Sequence, residues 1–310
     1  MKYKIIIFLV FTFSSLHLLA QKEEDITLNT QTGDIKGTLL LPEKENNIPV
    51  ALLISGSGPT DRNGNNPYMK NNSLKMLATG LSENNIATLR YDKRGIANSK
   101  EAGLKENDLR FENYIEDAKQ WVELLKKDKR FNSVIVIGHS EGSLIGMIAS
   151  QQINVEKFIS ISGVGRPAAV VIADQLKAQP IEIIEASQPI LDKLNIGETV
   201  EDVPPMLFSI FRPSVQPYII SWFKYDPQTE IAKLKIPILV IQGTTDIQVN
   251  VTDAELLKKG NPKAKLEIIE GMNHILKEVE LDKQKNIQTY SQPDLPLKTG
   301  LIDVLIEFIN

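Results

Sequence analysis

The chain has 310 residues, of which 42% are hydrophobic and 24% are charged, and its formal net charge is −4. This composition is typical of a globular protein and excludes a disordered or fibrous one. The absence of cysteine excludes disulfides, thiolate nucleophiles, thiolate metal sites and a lipid anchor on an N-terminal cysteine. Without a basic patch or an arginine-rich stripe, we expect no nucleic-acid partner.

The first 20 residues have the pattern of a signal peptide, with Lys2 and Lys4 before an apolar run that starts at Ile5. We expect cleavage after Ala20, although Leu18 is larger than the residue usual at its position. An uncleaved anchor is the alternative, but an apolar run of about 16 residues is short for a bilayer span. Cleavage changes the formal charge from −4 to −6, because the segment holds two lysines and no acid. The sequence predicts an exported protein, periplasmic or secreted, with no stable membrane partner.

The mature chain begins with a predicted hairpin and continues with alternating strands and helices. The hairpin strands are Ile26 to Asn29 and Ile35 to Leu41, with Gly33 in the turn. The elements that follow are a strand over Pro49–Ile54, a helix around Leu74–Leu81, a strand over Ile86–Tyr91, a helix around Ile115–Leu125, a strand from Val134 to Ile137, a helix from Leu144 and a strand over Phe158–Ile161. This alternation predicts an α/β fold in which a mostly parallel sheet is covered by helices on both faces.

The alternation stops over residues 164–230, which are rich in proline and show no strand pattern. We interpret this segment as a helical cap inserted between two parts of an α/β core, residues 21–163 and 231–310. Aromatic residues in its second half are candidate walls of an apolar substrate pocket, and packing of the cap against the core is the alternative for any single ring. The candidates are Phe208, Phe211, Trp222 and Phe223.

The α/β pattern resumes after the cap. It comprises a strand over Ile238–Ile241, a helix near Ala254–Lys259, a strand over Leu266–Ile269 and a closing helix around Leu301–Phe308. The polar, lysine-rich stretch over residues 277–289 is predicted to be a surface loop.

The segment Gly138-His139-Ser140-Glu141-Gly142 lies between a predicted strand and a predicted helix. This spacing and context are typical of a nucleophile elbow, in which a strained turn exposes a serine hydroxyl. Glycine is required two positions on either side, because side chains there would collide with the adjoining strand and helix. The motif alone is common by chance, so the prediction depends on the strand-turn-helix context.

A serine nucleophile needs a base, and the chain has only three histidines. His17 lies in the predicted signal peptide, and His139 directly precedes the serine and is interpreted as pointing away from it. His274, in a loop after a strand, is therefore the predicted base. Asp246, which also follows a strand, is the predicted acid that orients the imidazole, with Asp253 as the alternative.

An oxyanion hole is predicted from two backbone N–H groups. One belongs to Glu141, directly after the serine, and the other to Ser57 in the loop Ser55-Gly56-Ser57-Gly58-Pro59. An ordinary glycine-rich turn is the alternative for this loop. A phosphate-binding loop is excluded, because G-x-x-x-x-G-K-[ST] is absent.

Five features together resemble the α/β-hydrolase superfamily, and especially the bacterial carboxylesterases of the EstD type and the dienelactone-hydrolase and serine-aminopeptidase-like branches. They are Ser55-Gly56-Ser57-Gly58-Pro59-Thr60-Asp61-Arg62-Asn63-Gly64, Arg90-Tyr91-Asp92-Lys93-Arg94-Gly95, Gly138-His139-Ser140-Glu141-Gly142, Asp246 and His274. The resemblance implies an α/β-hydrolase fold, a triad of Ser140, Asp246 and His274, and oxyanion N–H groups from Ser57 and Glu141. Where such chains often have Arg-Gly-x-Gly-x-Ser, this one has Ala97 in place of the second glycine.

These observations predict a serine carboxylesterase that cleaves small or medium acyl esters through an acyl-enzyme. Its partner is a small-molecule ester, and it needs no cofactor and no metal. A peptidase or acyltransferase on the same triad is one alternative. A non-catalytic binding protein on a hydrolase scaffold is the other.

Overall fold

A sheet of eight strands forms the centre of the computed structural model, which describes residues 21–310. The strands are β1 (Lys22–Thr30), β2 (Gly33–Leu41), β3 (Ile48–Ile54), β4 (Ala87–Tyr91), β5 (Phe131–His139), β6 (Lys157–Ile161), β7 (Ile238–Gly243) and β8 (Lys265–Ile269). Their order is β1-β2-β4-β3-β5-β6-β7-β8. β2 pairs antiparallel with β1 and β4, and all other neighbours are parallel. The predicted hairpin and the predicted mostly parallel sheet are confirmed.

Helices cover both faces of this sheet. They are α1 (Ser73–Ser82), α2 (Phe111–Lys127), α3 (Glu141–Gln152), α4 (Ala168–Leu176), α5 (Ile181–Asn195), α6 (Phe208–Phe211), α7 (Gln216–Phe223), α8 (Pro227–Lys233), α9 (Val251–Gly260), α10 (Lys283–Thr289) and α11 (Leu301–Ile309). Within residues 21–310, no helix combines the length and the apolar character that a bilayer crossing requires. The predicted signal peptide, residues 1–20, lies outside the described residues.

Alternation of side chains along the strands divides the core into two layers. In β3, Val50, Leu52 and Ile54 pack with α2, α3 and α9, whereas Ala51 and Leu53 pack with α1 and α11. Successive side chains of a strand point to opposite faces, so a strand buried on both faces is apolar throughout. The continuous apolar runs in the sequence therefore predicted central strands correctly.

The segment between β6 and β7 contains helices α4 to α8. It has a hydrophobic cluster of its own, which includes Leu176, Ile190, Leu194, Leu207 and Phe211. This cluster holds α4, α5, α6 and α7 together, and residues of α4 and α7 line a cavity with Ser140 at the carboxyl end of β5. The cap therefore covers the sheet edge at which an open α/β fold places its functional loops.

The prediction of a surface loop over residues 277–289 is right for the exposure of most of these residues and wrong for the conformation of the last seven. Residues Lys283–Thr289 form α10, and the side chains of Lys277 and Asn286 are fully buried. Asn286 Nδ2 donates a hydrogen bond of 2.6 Å to the carbonyl oxygen of Thr245. The few buried polar side chains in this stretch satisfy buried backbone groups of neighbouring loops, which a polar composition does not reveal.

Candidate active site

Ser140 lies at the sharp turn between β5 and α3. Its backbone has φ 55° and ψ −123°, a conformation that is strained for a residue other than glycine. The Ser140 N–H donates a hydrogen bond of 3.0 Å to the carbonyl oxygen of Ile161, at the end of β6. The turn therefore holds Ser140 at the carboxyl ends of the parallel strands.

The two glycines of the elbow have no room for a side chain. A Cβ atom on Gly138 would lie 2.3 Å from the carbonyl oxygen of Gly142, and one on Gly142 would lie 2.3 Å from the carbonyl oxygen of Ile54. Both distances are to backbone atoms, which cannot move aside as a flexible side chain can. The close packing of α3 against β3 and β5 thus requires glycine at both positions.

His274 and Asp246 are joined by a hydrogen bond of 2.8 Å between Nδ1 and Oδ2. The Asp246 side chain is fully buried, and its other oxygen accepts the N–H groups of Gln248 and Val249. Burial alone would raise the pKa of Asp246, but the His274 ring and these hydrogen bonds hold that pKa below its usual value. An ionised Asp246 keeps the proton of neutral His274 on Nδ1 and leaves Nε2 as the basic nitrogen.

Ser140 and His274 line the same cleft. Among the hydrogen bonds of residues 21–310, none joins the Ser140 hydroxyl to the His274 ring. A contact between a nucleophile and its base often tightens only when a substrate binds. The structure thus brings Ser140 and His274 to one cleft, and the buried Asp246 is in direct contact with the His274 ring.

His139 also lines this cleft, a position that its interpretation as pointing away from Ser140 did not anticipate. Its ring centroid lies 4.8 Å from that of His274, and its Nε2 donates to the His274 carbonyl oxygen at 2.7 Å. Burial, together with the neighbouring His274, lowers the pKa of His139 to about 4, so the ring is neutral near pH 7. The sequence did contain a signal: Ile135 and Ile137 alternate toward the α1 and α11 layer, and His139 continues that series.

Asp253, the alternative acid, does not contact His274. It is buried in α9, where its carboxylate accepts hydrogen bonds from Arg166 at 2.9 Å and from the Gly165 N–H at 3.1 Å. Arg166 also pairs with Asp174 of α4. Asp253 therefore anchors the start of the cap, and Asp246 is the acid in contact with the histidine.

Ser57 and Glu141 carry the two N–H groups predicted to form the oxyanion hole. Glu141 is the first residue of α3, where an N–H has no acceptor within the helix. The Ser57 loop passes so close to the elbow that a Cβ atom on Gly56 would lie 3.0 Å from Ser140 Cβ. In the described part of the chain neither N–H has a backbone acceptor, and both residues line a cavity together with Ser140.

A buried ion pair that the sequence analysis missed joins the Ser57 loop to the elbow. Lys93 Nζ donates to the Gly56 carbonyl oxygen at 2.6 Å and to the Glu141 carboxylate at 3.2 Å. Glu141 also accepts the hydroxyl of Tyr218, from cap helix α7, at 2.5 Å. The Lys93 and Glu141 side chains are only 1% and 3% exposed. These contacts connect the predicted oxyanion loop, the elbow and the cap.

Two further ion pairs account for other charged residues of the recognised motifs. Asp92 accepts the Arg62 guanidinium at 2.7 Å and the Arg62 backbone N–H at 2.8 Å. Arg94 Nε donates to Asp117 of α2 at 2.8 Å. All four side chains are buried, so the charges neutralise each other inside the fold. They hold the loops that follow β3 and β4 in place, and none of the four residues lines the cavity or cleft beside Ser140.

A cavity lies between Ser140 and the cap. Its apolar lining residues are Leu144, Val164, Ala168, Val171, Ile172, Trp222, Pro227 and Val249. Arg166 also lines it, but its guanidinium is already engaged by two carboxylates. A cavity with apolar residues on both the core and the cap, next to the candidate nucleophile, is suited to an organic substrate.

Of the four aromatic residues predicted to line this pocket, only Trp222 does so. Phe211 is fully buried in the cap's own hydrophobic cluster, and Phe223 packs against that cluster. Phe208 is 49% exposed on the surface. The prediction is wrong for these three, because an aromatic-rich segment does not reveal which side of each short helix faces the core of the cap.

A second cleft opens beside Ser140. It contains His274 and His139 and shares Ser57, Ser140 and Gln248 with the cavity under the cap. Besides Ile275, its other side chains come from the loop after β3, the start of α1 and the residue after α10, and they include the apolar Pro59, Met69 and Leu74. Those that carry hydroxyl or amide groups are Thr60, Asn66, Asn71, Ser73 and Tyr290.

Comparison with known proteins finds one family and one curated relative. Residues 70–194 match the family described as serine aminopeptidase, S33. Esterase EstD of Thermotoga maritima is 30% identical over 261 residues, which make up 82% of this chain and 60% of the esterase. The chain therefore spans less than two thirds of the length of this relative.

Solved structures with the same architecture cover most of the chain. Est1E from Butyrivibrio proteoclasticus, solved with ferulic acid bound, is 17% identical with a TM-score of 0.63, covering 92% of this chain and 99% of that one. The alpha/beta hydrolase GrgF from Penicillium sp. sh18 is 19% identical with a TM-score of 0.58, covering 82% of this chain and 91% of that one. At these identities the likeness concerns the fold.

Proposed function

This chain has the α/β-hydrolase fold, and we propose that it is a serine hydrolase that cleaves carboxylic esters of small or medium acyl chains. The proposal is carried by one observation: the strained Ser140 turn lies between two clefts, beside a buried Asp246–His274 pair. The similarity to an esterase over most of the chain supports it. We propose Ser140 as nucleophile, His274 as general base and acid, and Asp246 as the group that orients the imidazole.

The proposed reaction has two halves. Ser140 Oγ attacks the ester carbonyl carbon while its proton passes to His274 Nε2. The ester C–O bond then breaks, His274 gives that proton to the leaving alcohol, and the acyl group stays on Ser140. Water then attacks the acyl carbon while His274 takes its proton, the bond between that carbon and Ser140 Oγ breaks, and His274 returns the proton to Oγ as the acid leaves. The N–H groups of Ser57 and Glu141 hold the negative oxygen in both halves.

The charges around the cavity favour an ester over a peptide with a free amino terminus. An aminopeptidase must hold an ammonium group on the acyl side of the bond that it cleaves, and a free carboxylate is the natural partner for it. Glu141 is the acid among the residues that line the cavity, and it is paired with Lys93. The nearby Asp174 and Asp253 are paired with Arg166. An acyltransferase uses the same groups, and it differs by passing the acyl group to an added alcohol.

Replacement of Ser140 by alanine tests the proposal. We expect Ser140→Ala to abolish hydrolysis of p-nitrophenyl butyrate and labelling by a fluorophosphonate, with an unchanged melting temperature. Ser150→Ala is the matched control, because Ser150 lies in the same helix, is buried and has no hydrogen bond to its hydroxyl among the described residues. Turnover that survives in Ser140→Ala contradicts the assignment. Absence of labelling in folded wild-type protein favours a binding protein.

We further propose that the protein is exported and that residues 1–20 are removed. The basic and apolar pattern of that segment supports this. Mass spectrometry of the protein from a cell envelope and from the medium is the test. A chain that starts at Gln21 is the expected product, and a full-length chain retained in a membrane fraction contradicts the proposal.

A further inference from the structure

Two clefts of different chemistry meet at Ser140, and we infer from them the two halves of the substrate. The acyl group is apolar and lies under the cap. The alcohol is neutral and rich in hydroxyl groups, as in a glycerol or sugar ester, and lies in the cleft beside His274. The inference rests on the proposed function and specifies the substrate class of the same site.

The position of His274 decides which cleft takes which half. In acyl transfer by a serine, the base that accepts the nucleophile's proton must later deliver it to the leaving oxygen. His274 lines the second cleft and is not among the residues that line the cavity under the cap. The leaving alcohol therefore occupies the second cleft, and the acyl chain points the other way, under α4 and α7.

The acyl side offers apolar contacts and no free charge. Leu144 lines it from α3, Val171 and Ile172 line it from α4, and Trp222 lines it from α7. The Arg166 guanidinium donates to Asp253 through Nε and Nη2 and to Asp174 through Nη1, so its charge is already neutralised. An acyl chain with a terminal carboxylate or ammonium finds no partner here, whereas an unsubstituted hydrocarbon chain buries its surface.

The alcohol side offers hydroxyl and amide groups that are free to bind a polyol. The Tyr290 hydroxyl accepts a hydrogen bond of 2.9 Å from Gln248 Nε2, which leaves its own proton to donate. Asn71 is buried and uses its Oδ1 to accept the Ser73 N–H, so its Nδ2 is available. The residues that line this cleft include no Asp, Glu, Lys or Arg. Groups of this kind suit neutral hydroxyls, which both donate and accept.

Esters that share one acyl group and differ only in the alcohol test the inference. The purified protein is assayed with three butyrates, those of glycerol, of the glucose 6-hydroxyl and of 1-propanol. We expect kcat/KM for at least one hydroxylated ester to exceed that for propyl butyrate by about tenfold. Glycerol and glucose esters separate the two sources of the same chemistry, because a preference for either one identifies the alcohol.

Variants in the two clefts must change the preference for different parts of the substrate, the alcohol or the acyl group. Tyr290→Phe should lower the preference for the hydroxylated alcohol by about three- to tenfold without changing the preferred acyl length. Trp222→Leu should move the preferred acyl chain toward greater length with every alcohol. If that variant does not fold, Val171→Phe serves as the substitute, and it should move the preference toward shorter acyl chains. Tyr68→Phe is the control, because Tyr68 is 88% exposed and does not line the cleft.

The outcomes separate this inference from the proposed function. Equal kcat/KM for all three butyrates, or a change of acyl preference in Tyr290→Phe, overturns the inference and leaves the esterase intact. An alcohol preference that moves with Trp222→Leu shows that the two halves are reversed. No turnover of any butyrate, p-nitrophenyl butyrate included, by a folded protein that also fails to bind a fluorophosphonate overturns the proposed function itself.

Discussion

Replacement of Lys93 by methionine tests whether the buried ion pair holds the oxyanion loop against the elbow. The Lys93 and Glu141 side chains are 1% and 3% exposed, so loss of the ammonium leaves a buried carboxylate with the Tyr218 hydroxyl beside it. Breaking a buried pair from one side costs about 3–5 kcal/mol. Each kcal/mol moves the melting temperature by about 2–4 °C in a chain of this size. We therefore expect thermal denaturation of Lys93→Met about 6–20 °C below that of the wild type.

The same substitution should reduce catalysis. The Gly56 carbonyl oxygen loses its 2.6 Å hydrogen bond from Lys93, so the neighbouring Ser57 N–H is less well positioned. Complete loss of one oxyanion donor lowers kcat by about 10²- to 10³-fold, and a displaced donor costs less. We expect kcat on p-nitrophenyl butyrate to fall by about 10- to 100-fold with little change in KM.

Two further variants separate stability from positioning. Lys93→Met with Glu141→Gln leaves no unpaired charge, so it should regain most of the melting temperature, but its kcat should stay low because the Gly56 carbonyl still lacks its donor. Lys75→Met removes an exposed lysine and should change neither quantity. Wild-type kcat in Lys93→Met, or a melting temperature within about 2 °C of the wild type, would refute the reasoning.

The remaining predictions concern the acid and the second histidine. Asp246→Asn should lower kcat by about 10³- to 10⁴-fold, because an amide does not hold the His274 proton on Nδ1. Asp253→Asn should mainly lower the melting temperature. A larger loss of kcat in Asp253→Asn than in Asp246→Asn would reverse the two roles. The pKa of His139 is about 4 in the fold against 6.5 as its ordinary value, so acidification protonates the unfolded chain first. The contribution of His139 to the free energy of unfolding is present above pH 6.5 and is lost toward pH 4. About 2 kcal/mol of this contribution is lost between pH 7 and pH 5. Denaturation of His139→Gln at both pH values should show a smaller loss, and an equal loss would argue against a buried neutral ring.

Local periodicity predicted the strands of this fold well, because a central strand must be apolar on both faces. The continuous runs in β3, β5 and β7 follow from that requirement, and the hairpin follows from the turn at Gly33. The helix α10 escaped prediction, since its buried polar groups bind loops that are distant in sequence. Asn286, for example, contacts the carbonyl oxygen of Thr245, 41 residues away.

The candidate site was predictable where its chemistry demands a rare residue at a strand end. A scarcity of histidines left His274 as the available base, and strand ends in a parallel sheet meet at one edge. The pocket walls were not predictable in the same way. Phe211 and Trp222 lie in neighbouring short cap helices, yet one is in the cap's cluster and the other lines the cavity. That difference depends on how the short helices rotate against one another, which composition does not encode.

The pairing of charged residues in the recognised motifs is a third feature that the sequence alone did not predict. The sequence presents Arg62, Asp92 and Lys93 as separate charges, and only the topology shows that Arg62 pairs with Asp92 while Lys93 reaches the Gly56 carbonyl and Glu141. Because Glu141 also accepts the Tyr218 hydroxyl, one carboxylate contacts both the cap and the lysine that holds the oxyanion loop. A cap that moves away from the elbow must therefore break this hydrogen bond. The position of the cap and the geometry of the candidate oxyanion hole are thereby coupled through Glu141.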